Sequence, residues 1–186
     1  MHHDELWQIY APNGEPISGA GWDSALNNPE ETGSDAIVGI AIVFLYRVNG
    51  TGEIEFLWQR RSAEVDRHPG KWDISAGGHI NLGESTIDAA IREAHEEIGA
   101  EITADDLIYG FMQPFNKNRL AWLYFVNWTG REDAFSFNDK EVSEVRWIKY
   151  SEMEEFRKNF AKAPLAKDTV AFLMVGEWLK MHGYLN

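Results

Sequence analysis

Glu93, Glu96 and Glu97 stand at i, i+3 and i+4 in the run Arg92-Glu93-Ala94-His95-Glu96-Glu97-Ile98, a spacing that on a helix sends three carboxylates out from one side. Carboxylates crowded in this way repel one another unless a cation shares them. Hard oxygen ligands of this kind suit Mg²⁺ or Mn²⁺, with waters and substrate phosphates completing the shell. Glu84 comes near the same locus from the preceding loop, and Arg92 either pairs with Glu96 one turn on or braces the loop that carries Glu84. In an acidic chain the ordinary reading of such a cluster is a solvated helix face. A glycine-rich loop leading straight into the helix, and an apolar face short of large residues, weigh against that reading.

The helix that must carry these groups is marked at both ends. Ser85 is its N-cap, Asp88 stands at the third helical position of a capping box, and Gly99 ends it. Ile87, Ile91, Ala94 and Ile98 recur at intervals of four, three and four, which predicts one buried stripe. Ahead of the helix, residues 36–46 form an apolar, β-branched run expected to be a buried strand. Asn49-Gly50 and Gly52 turn it into a second strand at Glu53 to Gln59. His68-Pro69-Gly70-Lys71 breaks the chain, and Trp72 to Ala76 reads as a short extended piece ending at Gly77-Gly78.

Beyond the helix, Leu107 to Gln113 and Leu120 to Trp128 read as strands joined by the polar turn Asn116-Lys117-Asn118-Arg119, and Val142 to Ile148 as a last strand. Ser151, with Glu154, is expected to cap a following helix; Pro164 separates it from an amphipathic helix over Thr169 to Met181. Residues 1–34, rich in Gly, Pro, Asn and Asp, are read as an N-terminal extension or hairpin packed on a domain spanning 35–186. Strands, helix, strands and two helices, without a repeat, give an α/β protein with a mixed sheet packed by helices rather than a regular βαβ array.

A chain of 186 residues that is 44% hydrophobic buries a core of its own. The absence of Cys excludes a disulfide framework, a thiolate metal site and a cysteine nucleophile, and points to a reducing compartment. Thirty acids against 17 bases leave a net charge of −13, which argues against nucleic acid and anionic membrane as partners. The opening Met1-His2-His3-Asp4 has no basic run followed by an apolar stretch, and nowhere does an uninterrupted apolar run reach the roughly 18 residues of a membrane span. A cytoplasmic protein is expected.

Within that acidic field, Arg60 and Arg61 at the end of the second strand and Lys71 before Trp72 either form a positive rim suited to a phosphate end or are ordinary solubilising charges. Trp72 either stacks on a base or packs in the core, and His79 either points into the site or is a satisfied loop residue. His95, between Ala94 and Glu96, reads as a surface residue. For a general base, Glu97 and Glu84 are near in sequence. Asp139, Glu141 and Glu144 offer acids from a later loop, with Glu141 favoured because it directly precedes a strand.

From Gly78 through Glu84 to Arg92-Glu93, Glu96-Glu97, Gly99 and Ala100, the residues resemble a complete Nudix box: glycine, five residues, glutamate, seven residues, then arginine-glutamate-aliphatic and the glutamate pair. Only Ala100 is weak at the final aliphatic place. The resemblance implies an α/β/α sandwich with a mixed β-sheet between helices. It implies a divalent metal on Glu93, Glu96 and Glu97 with the Gly78 carbonyl, and water attack on a phosphoanhydride of a small diphosphate-containing substrate. A homodimer is the family-weighted preference.

The run His68-Pro69-Gly70-Lys71-Trp72 to Gly77-Gly78-His79, with Glu5 to Tyr10, is similar to isopentenyl-diphosphate isomerase and its Nudix relatives. His79 and Glu141 match residues that the isomerase uses. Its catalytic cysteine is replaced by Gly77, and its further metal-binding histidines are absent from Gly33-Ser34-Asp35-Ala36. A hydrolase of nucleotide sugars, nucleoside phosphates, dinucleoside polyphosphates or isoprenoid diphosphates is therefore expected before an isomerase or a non-catalytic diphosphate-binding protein. Capped RNA fits such an acidic chain poorly.

Overall fold

The structure, a computed structural model, describes residues 7–17, 37–116, 118–137, 140–161 and 169–185. Asp139, Lys117, Pro164 and residues 33–36 lie outside them. The strands are β1 (Ile9–Tyr10), β2 (Ile37–Val48), β3 (Ile54–Arg61), β4 (Trp72–Asp73), β5 (Ala76–His79), β6 (Leu107–Asn116), β7 (Arg119–Asn127) and β8 (Val142–Lys149). The helices are α1 (Thr86–Ile98), α2 (Tyr150–Phe160) and α3 (Thr169–Met181).

The apolar run in β2 is buried on both faces of the sheet, which is why its sequence does not alternate. Its even residues, Ile40, Ile42, Phe44 and Tyr46, pack with Met153 of α2 and with Val175, Trp178 and Leu179 of α3. The odd residues Ala41, Val43 and Leu45 pack with Ala89, Ala90, Ala94 and Ile98 of α1. The sheet is thus sandwiched between α1 and the α2/α3 pair. Trp178 stacks on Phe125 with centroids 3.9 Å apart, and burying a large apolar side chain of this kind contributes roughly 2–3 kcal/mol.

β2 pairs in parallel with β7 and antiparallel with β1, β3 and β5, so the sheet is mixed. Along one edge it changes partner, from β5 at Ile40–Val43 to β3 at Tyr46–Val48. Ser75 fills the fork. Its hydroxyl donates to the Leu57 carbonyl at 2.7 Å and accepts from the Leu45 N–H at 2.9 Å. The expected β2–β3 hairpin is present, closed by Asn49 Oδ1 accepting from the Thr51 and Glu53 amides.

Three local expectations are corrected. Gly77 and Gly78 belong to β5, in register with Ile42 and Ala41, and not to a loop. Ile87 is exposed, and α1 instead meets the sheet through alanines, whose small side chains bring the helix close. Ser151 lies inside α2; Lys149 is the N-cap and makes no side-chain cap, because β8 runs directly into the helix. Trp72 is a core residue, packed edge-on against Phe156 and covered by the Arg146 guanidinium. Among the described residues no helix is long and apolar enough to cross a membrane.

Candidate active site

α1 is fixed at both ends by the chemistry its sequence announces. The Ser85 hydroxyl accepts from the Asp88 N–H at 3.1 Å and donates to the Asp88 carboxylate at 2.6 Å. At the other end Gly99 adopts φ +64°, and its N–H returns to the His95 carbonyl at 2.9 Å. The helix therefore presents its acidic residues at a set height against β5.

Glu97 points inward and is buried. Its Oε2 accepts from the Gly77 N–H at 2.9 Å and from Gln59 Nε2 at 2.9 Å. Burial, then the neighbouring negative charge of Glu93, push its carboxyl well above the usual range, against the pull of the two donors. The Glu93 carboxylate rests on Gly78, where a Cβ would fall on it. Glycine at 78 is thus required by close approach of the helix, and glycine at 77 by the Ala41 carbonyl, which a Cβ would meet at 2.8 Å.

Arg92 is the hub of the loop-helix junction. Its Nε and Nη2 donate to the two Glu84 oxygens at 2.9 and 3.0 Å, and Nη2 also donates to the His79 carbonyl at 2.9 Å. Nη1 reaches Glu93 at 2.7 Å and Glu96 at 3.0 Å. Both of the roles that the sequence offers this arginine are filled, and Glu84, which also accepts from the Asn81 N–H, is fully engaged. Glu96 is half exposed. Arg92 pairs with Glu93 and Glu96, and among the described residues no three carboxylates or imidazoles gather as a ready-made ion site. The donors nonetheless fit a hard divalent cation in kind: carboxylate oxygens alone, two of them close enough to repel, one buried with a raised pKa, and a glycine cradle between helix and strand.

Beside Gly77 and Gly78 lies a cavity of about 230 Å³. Its apolar wall is Ile40, Ile42, Ile74 and Phe115, and its cationic wall is Arg61, Arg67 and Arg119. His79 also lines it; burial and the charges of Arg119, Arg67 and Arg92 push the imidazole down to about 3, so the ring is neutral at pH 7. Arg61 Nη1 lies 4.0 Å from Asp73, its Nη2 3.9 Å from Glu141, and its Nε donates to the Arg67 carbonyl at 3.0 Å. This one side chain therefore links the cavity, the Glu141 segment and the loop bearing Arg67.

Other sequence candidates lie apart from the cavity wall. Arg60 is exposed, bonded to the Gly70 carbonyl and 3.5 Å from Glu144; Lys71 is exposed. His95 is a surface residue 3.1 Å from Glu101. Arg67 and Arg119 were not singled out by their local sequence. Arg119 reaches the cavity because β7 runs parallel to β2, in register with Val38, a relation no short-range pattern announces.

A mixed sheet between helices is the arrangement the box resemblance implies. The NUDIX domain family matches residues 37–169, and the chain belongs to that family. It is 34% identical over 113 residues to Nudix hydrolase 3 of Arabidopsis thaliana, a match covering 55% of this chain and 15% of that protein. It is 32% identical over 106 residues to an isopentenyl-diphosphate Delta-isomerase of Escherichia coli, covering 53% of this chain and 56% of the isomerase. The matches thus span less than two thirds of either relative. The fold is similar to RenU, a Nudix hydrolase from M. smegmatis, with TM-score 0.62 and 18% identity over 96% of this chain and 98% of that one. The isomerase's cysteine has no counterpart, since the chain contains none and glycine stands at 77.

Proposed function

We propose that the protein is a metal-dependent hydrolase that opens a phosphoanhydride bond in a small diphosphate-containing substrate. The observation that carries this reading is Glu97: a buried, doubly hydrogen-bonded carboxylate beside Glu93, placed where added positive charge is most favourable. Glu93 and Glu97 would hold Mg²⁺ or Mn²⁺, with Glu96 and the Gly78 carbonyl as further oxygen donors. Bound there, the ion supplies charge neutralisation at the phosphoryl oxygens and a water of lowered pKa.

The chain's own groups do the rest. Arg61, Arg67 and Arg119 bind the phosphate end, and neutral His79 adds a hydrogen bond. Arg60 and Lys71 contribute to the positive rim outside the cavity. Arg92 and Glu84 act as positioning residues, holding the β5-to-α1 loop through a bidentate pair. Water attacks phosphorus in line, the bridging P–O bond breaks, and the proton of the water passes to a carboxylate. Glu141, held beside the cavity by Arg61, is the group we assign to that proton, with Glu97 as the alternative acceptor.

Turnover in ¹⁸O-water tests this directly. A panel of nucleotide sugars, nucleoside triphosphates and isopentenyl diphosphate, with and without Mg²⁺, should give one substrate whose phosphate product carries the label only when metal is present. An intact diphosphate with a moved double bond would make the protein an isomerase, and saturable binding without turnover would make it a diphosphate-binding protein.

A further inference from the structure

Trp7 lies outside the stretch that the family matches, residues 37–169, yet it touches the cavity's only lining imidazole other than His68. Its indole lies flat on the His79 ring, centroids 3.6 Å apart and planes 8° apart. The backbone of Trp7 forms an isolated strand bridge with Asn81. Gln8, which is buried, fastens the same segment. Its N–H donates to the Ile80 carbonyl at 2.7 Å, its carbonyl accepts from the Gly39 N–H at 3.2 Å, and its Oε1 accepts from the Gly83 N–H at 3.2 Å. Gln8 Nε2 turns back to the Ile9 and Ile17 carbonyls. Residues 7 and 8 thus clasp the 79–83 loop at three levels, from the strand end to the entry of α1.

The clasp leaves one group unsatisfied. His79 Nε2 is buried and makes no hydrogen bond. A buried ring nitrogen without a partner is destabilising unless a polar group meets it. The last torsion of a histidine is broad and roughly two-fold, so the side chain itself does little to choose which nitrogen faces a ligand. The flat stack on Trp7 fixes the plane of the ring, and with it the plane in which Nε2 can meet a ligand.

We propose that Trp7 is a positioning residue: by stacking on His79 it holds the imidazole so that Nε2–H donates to an oxygen of a phosphate group taken up beside Arg61, Arg67 and Arg119. The proposal rests on reading the cavity as the place of the substrate's phosphate end. It makes a segment remote in sequence from the acidic helix a determinant of ligand affinity, with no part in the chemical step.

Inorganic pyrophosphate and the full-length, metal-free chain provide the test. Calorimetry should show Trp7→Ala binding pyrophosphate about tenfold more weakly, the worth of one hydrogen bond to a charged group. Trp7→Phe, whose ring can stack in the same way, should restore the affinity. The His79 ring resonances should move on adding pyrophosphate to the wild type and not to Trp7→Ala. With a turned-over substrate, Trp7→Ala should raise KM and leave kcat in place. Wild-type affinity in Trp7→Ala overturns the proposal. So do wild-type His79 resonances that ignore pyrophosphate, a result that needs no variant to fold. Resonances that respond in the wild type and not in Trp7→Ala, in a protein that hydrolyses no diphosphate, would support the positioning role while removing the hydrolase reading.

Discussion

Gln59 and Glu97 meet between the sheet and α1, with the amide Nε2 donating to the carboxylate Oε2 at 2.9 Å while Gln59 Oε1 remains buried without a partner. One side chain therefore both steadies the acid and carries an unsatisfied acceptor. Replacing it by leucine removes both at once. Gln59→Leu should lower turnover about tenfold, since Glu97 keeps only its Gly77 donor. Its unfolding free energy should stay within about 1 kcal/mol of wild type, because the orphaned acceptor is lost with the bond. Urea denaturation run beside steady-state kinetics checks this; a large loss of stability with full activity would contradict it.

Gly78→Ala should damage function more than folding. The added Cβ would occupy the position of the Glu93 carboxylate, and a misplacement of about 1 Å in a catalytic constellation lowers rate by about a hundredfold. Mn²⁺ affinity followed by electron paramagnetic resonance should fall with turnover. Unchanged Mn²⁺ binding would show that Glu93 is not placed by this contact.

Arg92→Lys exchanges a fork for a point charge at a site where Glu84 takes two parallel hydrogen bonds. We expect a loss of about 2 kcal/mol in unfolding free energy, the worth of one or two charge-assisted hydrogen bonds, and faster amide exchange at residues 79–84. Exchange rates equal to wild type would mean that the loop does not depend on this arginine.

Acid should expose the anchor of the 103–106 turn. The Thr103 N–H, at 2.8 Å, and the paired Arg131 hold the Asp106 carboxyl below its ordinary value. A carboxylate whose folded pKa is depressed contributes stability above the unfolded pKa, about 3.9, and loses it as pH falls through the folded value. The difference in unfolding free energy between wild type and Asp106→Asn should therefore be present at pH 7 and shrink below about pH 4. A difference that stays constant down to pH 3 would contradict the assignment.

The legible part of the fold was the part written in local chemistry. Ser85 and Gly99 fix the ends of α1 through bonds to their own neighbours, and Asn49 closes its hairpin by the same means. Burial of β2 on both faces follows from an apolar run too long and too uniform for a one-faced strand. What escaped depended on partners distant in sequence. Glycine at 77 and 78 looks like loop chemistry until the Ala41 carbonyl and the Glu93 carboxylate are seen occupying the space of a side chain. Ile87 looks buried until the alanines of α1 turn the helix toward the sheet. Arg67 and Arg119 come to one cavity only through a bent loop and a parallel crossover, and Trp7 meets His79 across more than a third of the chain's length.

The acidic helix is the centre of this account, and Glu97→Gln tests it most directly. The amide keeps the side chain's size while removing the negative charge, so the protein should melt cooperatively as before. Metal-dependent release of phosphate from the best diphosphate substrate should fall by about a thousandfold, the scale of several kcal/mol of lost charge stabilisation. Chelation by EDTA should abolish wild-type turnover, and Mg²⁺ should restore it. Turnover that survives Glu97→Gln undiminished, or that continues in EDTA, would contradict the account.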